Sequence, residues 1–215
     1  MRNLVKALLL TGSCAAGLVQ AHEAGDVFVR VGAVEVSPDA SSGSVLGGGV
    51  DVKDATGLGF SGTWFFSPHL AVEVLAALPF EHDIVGTGAL KGVDIGSTKH
   101  LPPTVSLQYY PLSGSKFQPY LGIGLNYTTF FKSDTTDTLD TALNGNTDIS
   151  LDNSTGLAFQ VGADYQLNDH WYLNAALWKI DIDTTAHISV NGTKAASVDV
   201  SIDPLVFMMG VGYSF

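Results

Sequence analysis

Six histidines, twenty-one acids and one cysteine are the residues of this chain with chemistry to offer. Their spacing limits that chemistry. His22, His69, His82, His100, His170 and His187 are scattered without ligand spacing, so no metal site is expected. Ser97 with His100, and His187 with Ser189, could serve a hydrolase acting on lipid, but neither pair has an evident carboxylate to orient its base. No catalytic residue and no cofactor are therefore expected. Asp134, Asp137, Asp140 and Asp148 share one Thr- and Asp-rich stretch, which reads as a solvated loop with some capacity to bridge divalent cations to lipopolysaccharide.

The elements that would position these groups begin after residue 21. Arg2 and Lys6 precede an apolar run to Val19, and Val19-Gln20-Ala21 supplies a cleavage site, so residues 1–21 read as a secretory signal peptide and 22–215 as the mature domain. Cys14 lies inside the signal, behind Thr11-Gly12-Ser13, a poor lipobox. Cleavage leaves a mature chain without cysteine, hence without disulfides or a thiol nucleophile. It also moves the formal charge from −11 to −13, because Arg2 and Lys6 leave and no acid does. So acidic a surface argues against nucleic acid as a partner. With 46% hydrophobic residues, 14% charged ones and 24 glycines, but no mature run long enough for a spanning helix, an exported chain points to an outer-membrane β-barrel.

Eight segments alternate with period two, near 26–36, 56–66, 70–81, 101–111, 117–131, 154–167, 171–185 and 197–215. Three of the links are short: Ser67-Pro68-His69, Leu112–Lys116 and Asn168-Asp169-His170. The others, 37–55, 82–100, 132–153 and 186–196, are long and rich in Gly, Ser, Thr and Asp. That asymmetry predicts an eight-stranded antiparallel up-and-down transmembrane barrel with periplasmic turns and extracellular loops. Leu121, Ile123, Leu125 and Tyr127 form the lipid row of the fifth segment, with Gly122, Gly124, Asn126 and Thr128 in the narrow lumen. Trp64, Tyr109, Trp171 and Tyr213 sit near segment ends, as interfacial aromatic girdles require.

The same phase sorts the lumen. Arg30, Glu73, Gln108, Asp164 and Asn174 point inward near the periplasmic ends and should pair, with Arg30 and Glu73 the obvious couple, to plug the lower lumen. Higher up the pattern inverts. Trp178, Ile180 and Ile182 turn inward with Val198, Val200 and Ile202, leaving Asp181, Asp183, Asp199 and Asp203 outside. Outward aspartates are expensive in lipid, so this part should stand above the membrane around an apolar vestibule, towards which Leu75 also points. Pro79 ends the third segment and Pro102-Pro103 open the fourth. Each removes a backbone donor, so this hairpin cannot zip fully and is the candidate lateral gate.

HEAGD (22–26), VEVLAALPF (72–80), HLPPTVSLQYYP (100–111), FQPYLGIGLNYTTFF (117–131), LWKIDIDTTA (177–186) and DPLVFMMGVGYSF (203–215) together resemble the OmpW family of outer-membrane proteins, with its OprG-like and AlkL-like members. The resemblance implies a monomeric eight-stranded barrel in a Gram-negative outer membrane that passively admits small hydrophobic molecules, with Leu75 and Trp178 matching residues of a hydrophobic constriction. The terminal Phe215 looks like the signal read by the outer-membrane assembly machinery. The partners expected are therefore lipid, lipopolysaccharide, that machinery and small apolar solutes. The alternative is a surface receptor or adhesin that displays its loops to bacteriocin or phage, and, behind it, a lipid-modifying barrel enzyme.

Overall fold

The computed structural model describes residues 22–43 and 48–215. The expected signal peptide, with Cys14, lies outside the described residues. The chain runs β1 (Val27–Ser37), β2 (Ser41–Ser42), β3 (Gly48–Val52), β4 (Ala55–Ser67), β5 (Leu70–Ala77), β6 (Phe80–Gly88), β7 (Asp94–Leu101), β8 (Thr104–Tyr109) and β9 (Phe117–Thr135). A short helix, α1 (Asp137–Leu143), leads to β10 (Thr147–Leu151), β11 (Ser154–Gln166), β12 (Trp171–Ile180), β13 (Asp183–Val190), β14 (Thr193–Ser201) and β15 (Leu205–Ser214).

Eight of these close a ring, β1-β4-β5-β8-β9-β11-β12-β15 and back to β1, each pair antiparallel. Closure removes the sheet edge that lipid could not satisfy. In β1 every second residue is buried: Phe28, Arg30, Val34 and Val36 point in, while Val27, Val29 and Val31 are exposed. In β9 the exposed row is Leu121, Ile123, Leu125 and Tyr127, the lipid row expected from the alternation. Exposed Trp64, Tyr109, Phe117, Tyr165, Trp171 and Phe215 ring the rim that carries the short turns, where amphipathic rings suit the membrane interface.

The long connections are not loops for most of their length. β3, β6 and β7 rise above the ring and pair with one another and with the upper part of β9. β10, β13, β14 and β2 make a second four-stranded sheet. The upper half is therefore two small sheets, roofed by α1. Thr136 caps α1 by accepting the Leu139 N–H, and Asn144 ends it in the left-handed region at φ 54°. The continuous segments expected near 171–185 and 197–215 are each broken, at Asp181-Ile182 and at Ile202–Pro204. Asp203 sits in that second break at φ 38° and its Oδ1 accepts the Ile182 N–H at 3.1 Å, so it closes the break and is only partly exposed.

Breaks recur at one level around the molecule. They fall between β1 and β2, β3 and β4, β5 and β6, β7 and β8, β10 and β11, β12 and β13, and β14 and β15. Among the described residues β9, 19 residues long, is the stave that runs through from ring to roof.

Candidate functional site

Inside the ring, the five residues expected to plug the lumen meet in one network. Arg30, contributed by the inward row of β1, is 1% exposed and donates in a fork to Asp164, from Nε to Oδ1 at 3.0 Å and from Nη2 to Oδ2 at 2.7 Å. Its Nη1 donates to Thr63 Oγ1 at 2.6 Å and to Glu73 Oε2 at 3.3 Å, and Nη2 to Tyr110 Oη at 3.0 Å. The principal partner of Arg30 is thus Asp164, with Glu73 second, because two parallel bonds to one carboxylate outweigh a single longer one.

The acceptors are held in turn. Gln160 Nε2 donates to Glu73 Oε1 at 2.9 Å, Gln108 Nε2 to Gln160 Oε1 at 3.0 Å, and Tyr110 Oη to Gln108 Oε1 at 3.1 Å. Asn174 Nδ2 donates to Asp164 Oδ1 at 3.0 Å and to Tyr120 Oη at 2.9 Å. Tyr120 crosses the lumen because the facing residue is Gly162, where a Cβ would come within 2.4 Å of the ring. Below lies an aromatic floor. His22 stacks on Phe65 with centroids 3.9 Å apart, and Phe28 meets Tyr172 edge-on at 4.5 Å. Every charged group of this network is paired, while Asn174 Oδ1 stays without a partner among the described residues.

Above the plug stands an apolar chamber of about 150 Å³ between the two upper sheets. Of the seven residues expected to face the apolar vestibule, Ile182, Val198, Val200 and Ile202 border it. Leu75, Trp178 and Ile180 do not; they pack beneath it in the same buried cluster and separate chamber from plug. The rest of the wall comes from segments that read as solvated loops: Val50, Ile84, Leu90, Ile95, Leu139 and Leu143 on one side, Ile149, Leu151 and Ile188 on the other. The signal was short alternation, as in Thr147-Asp-Ile149-Ser-Leu151, masked by its polar partners.

The prolines lie where chamber and ring meet. β5 pairs with β8 as far as Leu75 and Thr104, and β6 pairs with β7 from Phe80 and His100 onward. Between these points four residues (76–79) face three (101–103) with no ladder register, and Pro79, Pro102 and Pro103 contribute no N–H. The other flank is sewn shut. Pro103 O accepts the Tyr127 N–H at 3.0 Å, and Asn126 Nδ2 donates to Pro102 O at 3.1 Å and to Pro103 O at 3.2 Å. The mismatch is therefore confined to the β5/β6 side, beside exposed Leu78.

Two polar groups on the outer surface bear on other chemistries. His187 Nδ1 lies 2.9 Å from Ser197 Oγ, and its Nε2 3.1 Å from Asp152 Oδ2. This trio has the composition of a nucleophilic triad, with Ser197 where the sequence pointed to Ser189. The trio lies on the exposed outer surface, however, and borders neither chamber nor plug; among the described residues β14, which carries Ser197, pairs along its length with β13 and with β2 only at Val200 and Ser201. Ser97 and His100 do not meet either: they take opposite partners along β6, Asp83 and Phe80. Among acids, Asp181, Asp183 and Asp203 bring carboxylate oxygens within 4.8 Å, rather than the four of the 132–153 stretch. Asp140 of that stretch accepts from the Thr147 N–H at 2.8 Å and from its hydroxyl, tying α1 to β10.

The family model described as "OmpW family" matches residues 23–215. Outer membrane protein W of Vibrio cholerae is 44% identical over the whole of both chains. The crystal structure of OprG from Pseudomonas aeruginosa superposes with a TM-score of 0.83 at 42% identity, covering 92% of this chain and 99% of that one. A more distant relative, the "Dibenzothiophene metabolism operon protein PahQ" of Pseudomonas aeruginosa, is 27% identical over 86% of this chain and 87% of its own length.

Proposed function

The chain belongs to the OmpW family and is an outer-membrane β-barrel, and from that premise we propose that it is a passive channel for small hydrophobic molecules. Solute enters the apolar chamber from the extracellular side and leaves sideways into the bilayer through the seam at Pro79, Pro102 and Pro103. One observation carries the reading: an apolar chamber stands above a charged, hydrogen-bonded plug, with only the apolar layer of Leu75, Trp178 and Ile180 between them. A solute that prefers the chamber to water has no gain from crossing the plug, because it would displace paired charges without replacing their bonds. The way down the free-energy gradient is the lipid. The name of the relative from a dibenzothiophene operon fits a solute of this class.

The reading makes Phe215 the contact for the assembly machinery and the outward aspartates of the upper sheets neighbours of lipopolysaccharide. A receptor that only displays loops has no use for apolar side chains turned inward from them, so transport is favoured. The enzyme reading is disfavoured because the His187 trio lies on the exposed outer surface, away from the chamber.

The test is the double replacement Pro102→Val with Pro103→Thr, which restores two N–H donors to the seam. Uptake of an apolar solute into cells or liposomes should fall severalfold while the barrel folds normally. Unchanged uptake would remove the seam from the path.

A further inference from the structure

Among the described residues the chamber is apolar except for four side chains: Ser42, His82, Thr98 and His100. Two are already engaged. Ser42 Oγ accepts the Val50 N–H at 2.9 Å, and Thr98 Oγ1 lies 2.8 Å from Ser133 Oγ. His82 and His100 are different. They stack with centroids 4.8 Å apart and an interplanar angle of 23°, flanked by Phe80 and Phe130, at the level of the unpaired seam.

The tautomer of His82 follows from its neighbours. Nδ1 lies 2.6 Å from the Lys53 carbonyl oxygen, which can only accept, so Nδ1 carries the proton. Nε2 of the neutral ring is then an acceptor. His82 is 2% exposed, and among the described residues its Nε2 has no hydrogen-bond partner. Burial keeps both rings neutral: it lowers His82, and with the neighbouring imidazole it lowers His100 to about 3. An unpaired buried acceptor has a free-energy cost that a donor arriving on a solute would recover.

We propose that the His82–His100 pair is a hydroxyl-reading step, so that the chamber selects small apolar molecules carrying one hydrogen-bond donor, of the size of a monocyclic phenol, over the corresponding hydrocarbons. A chamber of about 150 Å³ matches a single aromatic ring, since a cavity of that volume holds benzene. The donor bonds to the imidazole while the ring stays among Ile84, Ile95 and Phe130. The inference rests on the channel reading above and deepens it by naming the solute class.

The experiment uses the mature chain in phosphatidylcholine nanodiscs, with 4-fluorophenol and fluorobenzene as probes followed by fluorine NMR and corrected against empty discs. The phenol should bind about three- to tenfold more tightly, the range expected of one hydrogen bond. The His82 Nε2 resonance of the unmodified protein should shift on adding the phenol and not on adding fluorobenzene. His82→Phe combined with His100→Phe should make the two affinities equal. Equal affinities in the unmodified protein, a silent Nε2 resonance, or a preference that survives the double substitution would each overturn the proposal and leave the channel reading standing. Binding of neither probe in the chamber would overturn both.

Discussion

Arg30 answers for two buried acids at once, and removing it shows what the plug is worth. With Arg30→Met the volume is kept, but Asp164 and Glu73 face one another without a cation. The expected loss is about 3–5 kcal/mol, the usual cost of breaking a buried ion pair from one side, read as a lower urea midpoint for unfolding from lipid vesicles. Arg30→Lys keeps the charge and loses the fork, so its midpoint should fall between the two. The histidines of the chamber give a pH dependence of definite sign. Their pKa values are lowered by burial, His100 to about 3, against ~6.5 in an unfolded chain. Between those values the unfolded chain holds the extra protons, so stability is full above pH ~6.5 and falls as the pH drops towards 3. Hydrogen exchange, corrected for the intrinsic pH dependence of amide exchange, should register this as more frequent opening of β6 and β7 at pH 5 than at pH 7.5. Asp140 has the opposite origin: bonds from Thr147 pull its pKa down, and Asp140→Ala should speed exchange of the Thr147 amide.

At the scale of elements, the eight staves of the ring were legible because lipid permits no other pattern. A residue such as Leu125 must be apolar outside while its neighbours Gly124 and Asn126 serve a narrow lumen, and ten residues of that alternation cannot be mistaken for a helix. The plug was legible for the same reason, since phase alone turns Arg30, Asp164 and Asn174 inward. Its closing members were not. Tyr110 follows β8, where the alternation ends and only its neighbour Tyr109 is assigned, to the interface, and His22 precedes β1, where phase has no meaning. The upper strands hid because water lies on one side and a small chamber on the other, so Ile84 or Ile188 stands alone among Gly, Ser and Asp. The His82–His100 pair was invisible for a related cause: the two residues are eighteen positions apart, and only the β6–β7 register stacks them. Gly162 offers a test at this scale. Gly162→Val would drive side-chain atoms into the Tyr120 ring, costing about 1–3 kcal/mol by overpacking and displacing the Tyr120–Asn174 bond, which the tyrosine side-chain NMR shifts would report.

For the whole molecule, a rigid lower ring and a roofed upper chamber make different demands on one chain. The ring must exclude ions, so single-channel recordings in planar bilayers should show negligible conductance for the unmodified protein. Tyr120→Ala together with Tyr110→Ala, which empties the middle of the plug, should give discrete openings. A chamber that passes solute, as proposed, has to exchange its contents, and the recurrent breaks between the two halves are where the ladders leave room for it. Among the described residues β9 is the strand that passes through that level without a break, and it holds both β7 above and β8 below. It is a mast. Load applied to the extracellular surface, by a neighbouring macromolecule or by a crowded leaflet, leans the upper half about this one stay. The span that would lengthen or shorten is the Pro79–Pro102 side, so under the proposed lateral route a sideways push from the surroundings would become a change in how fast solute reaches the bilayer.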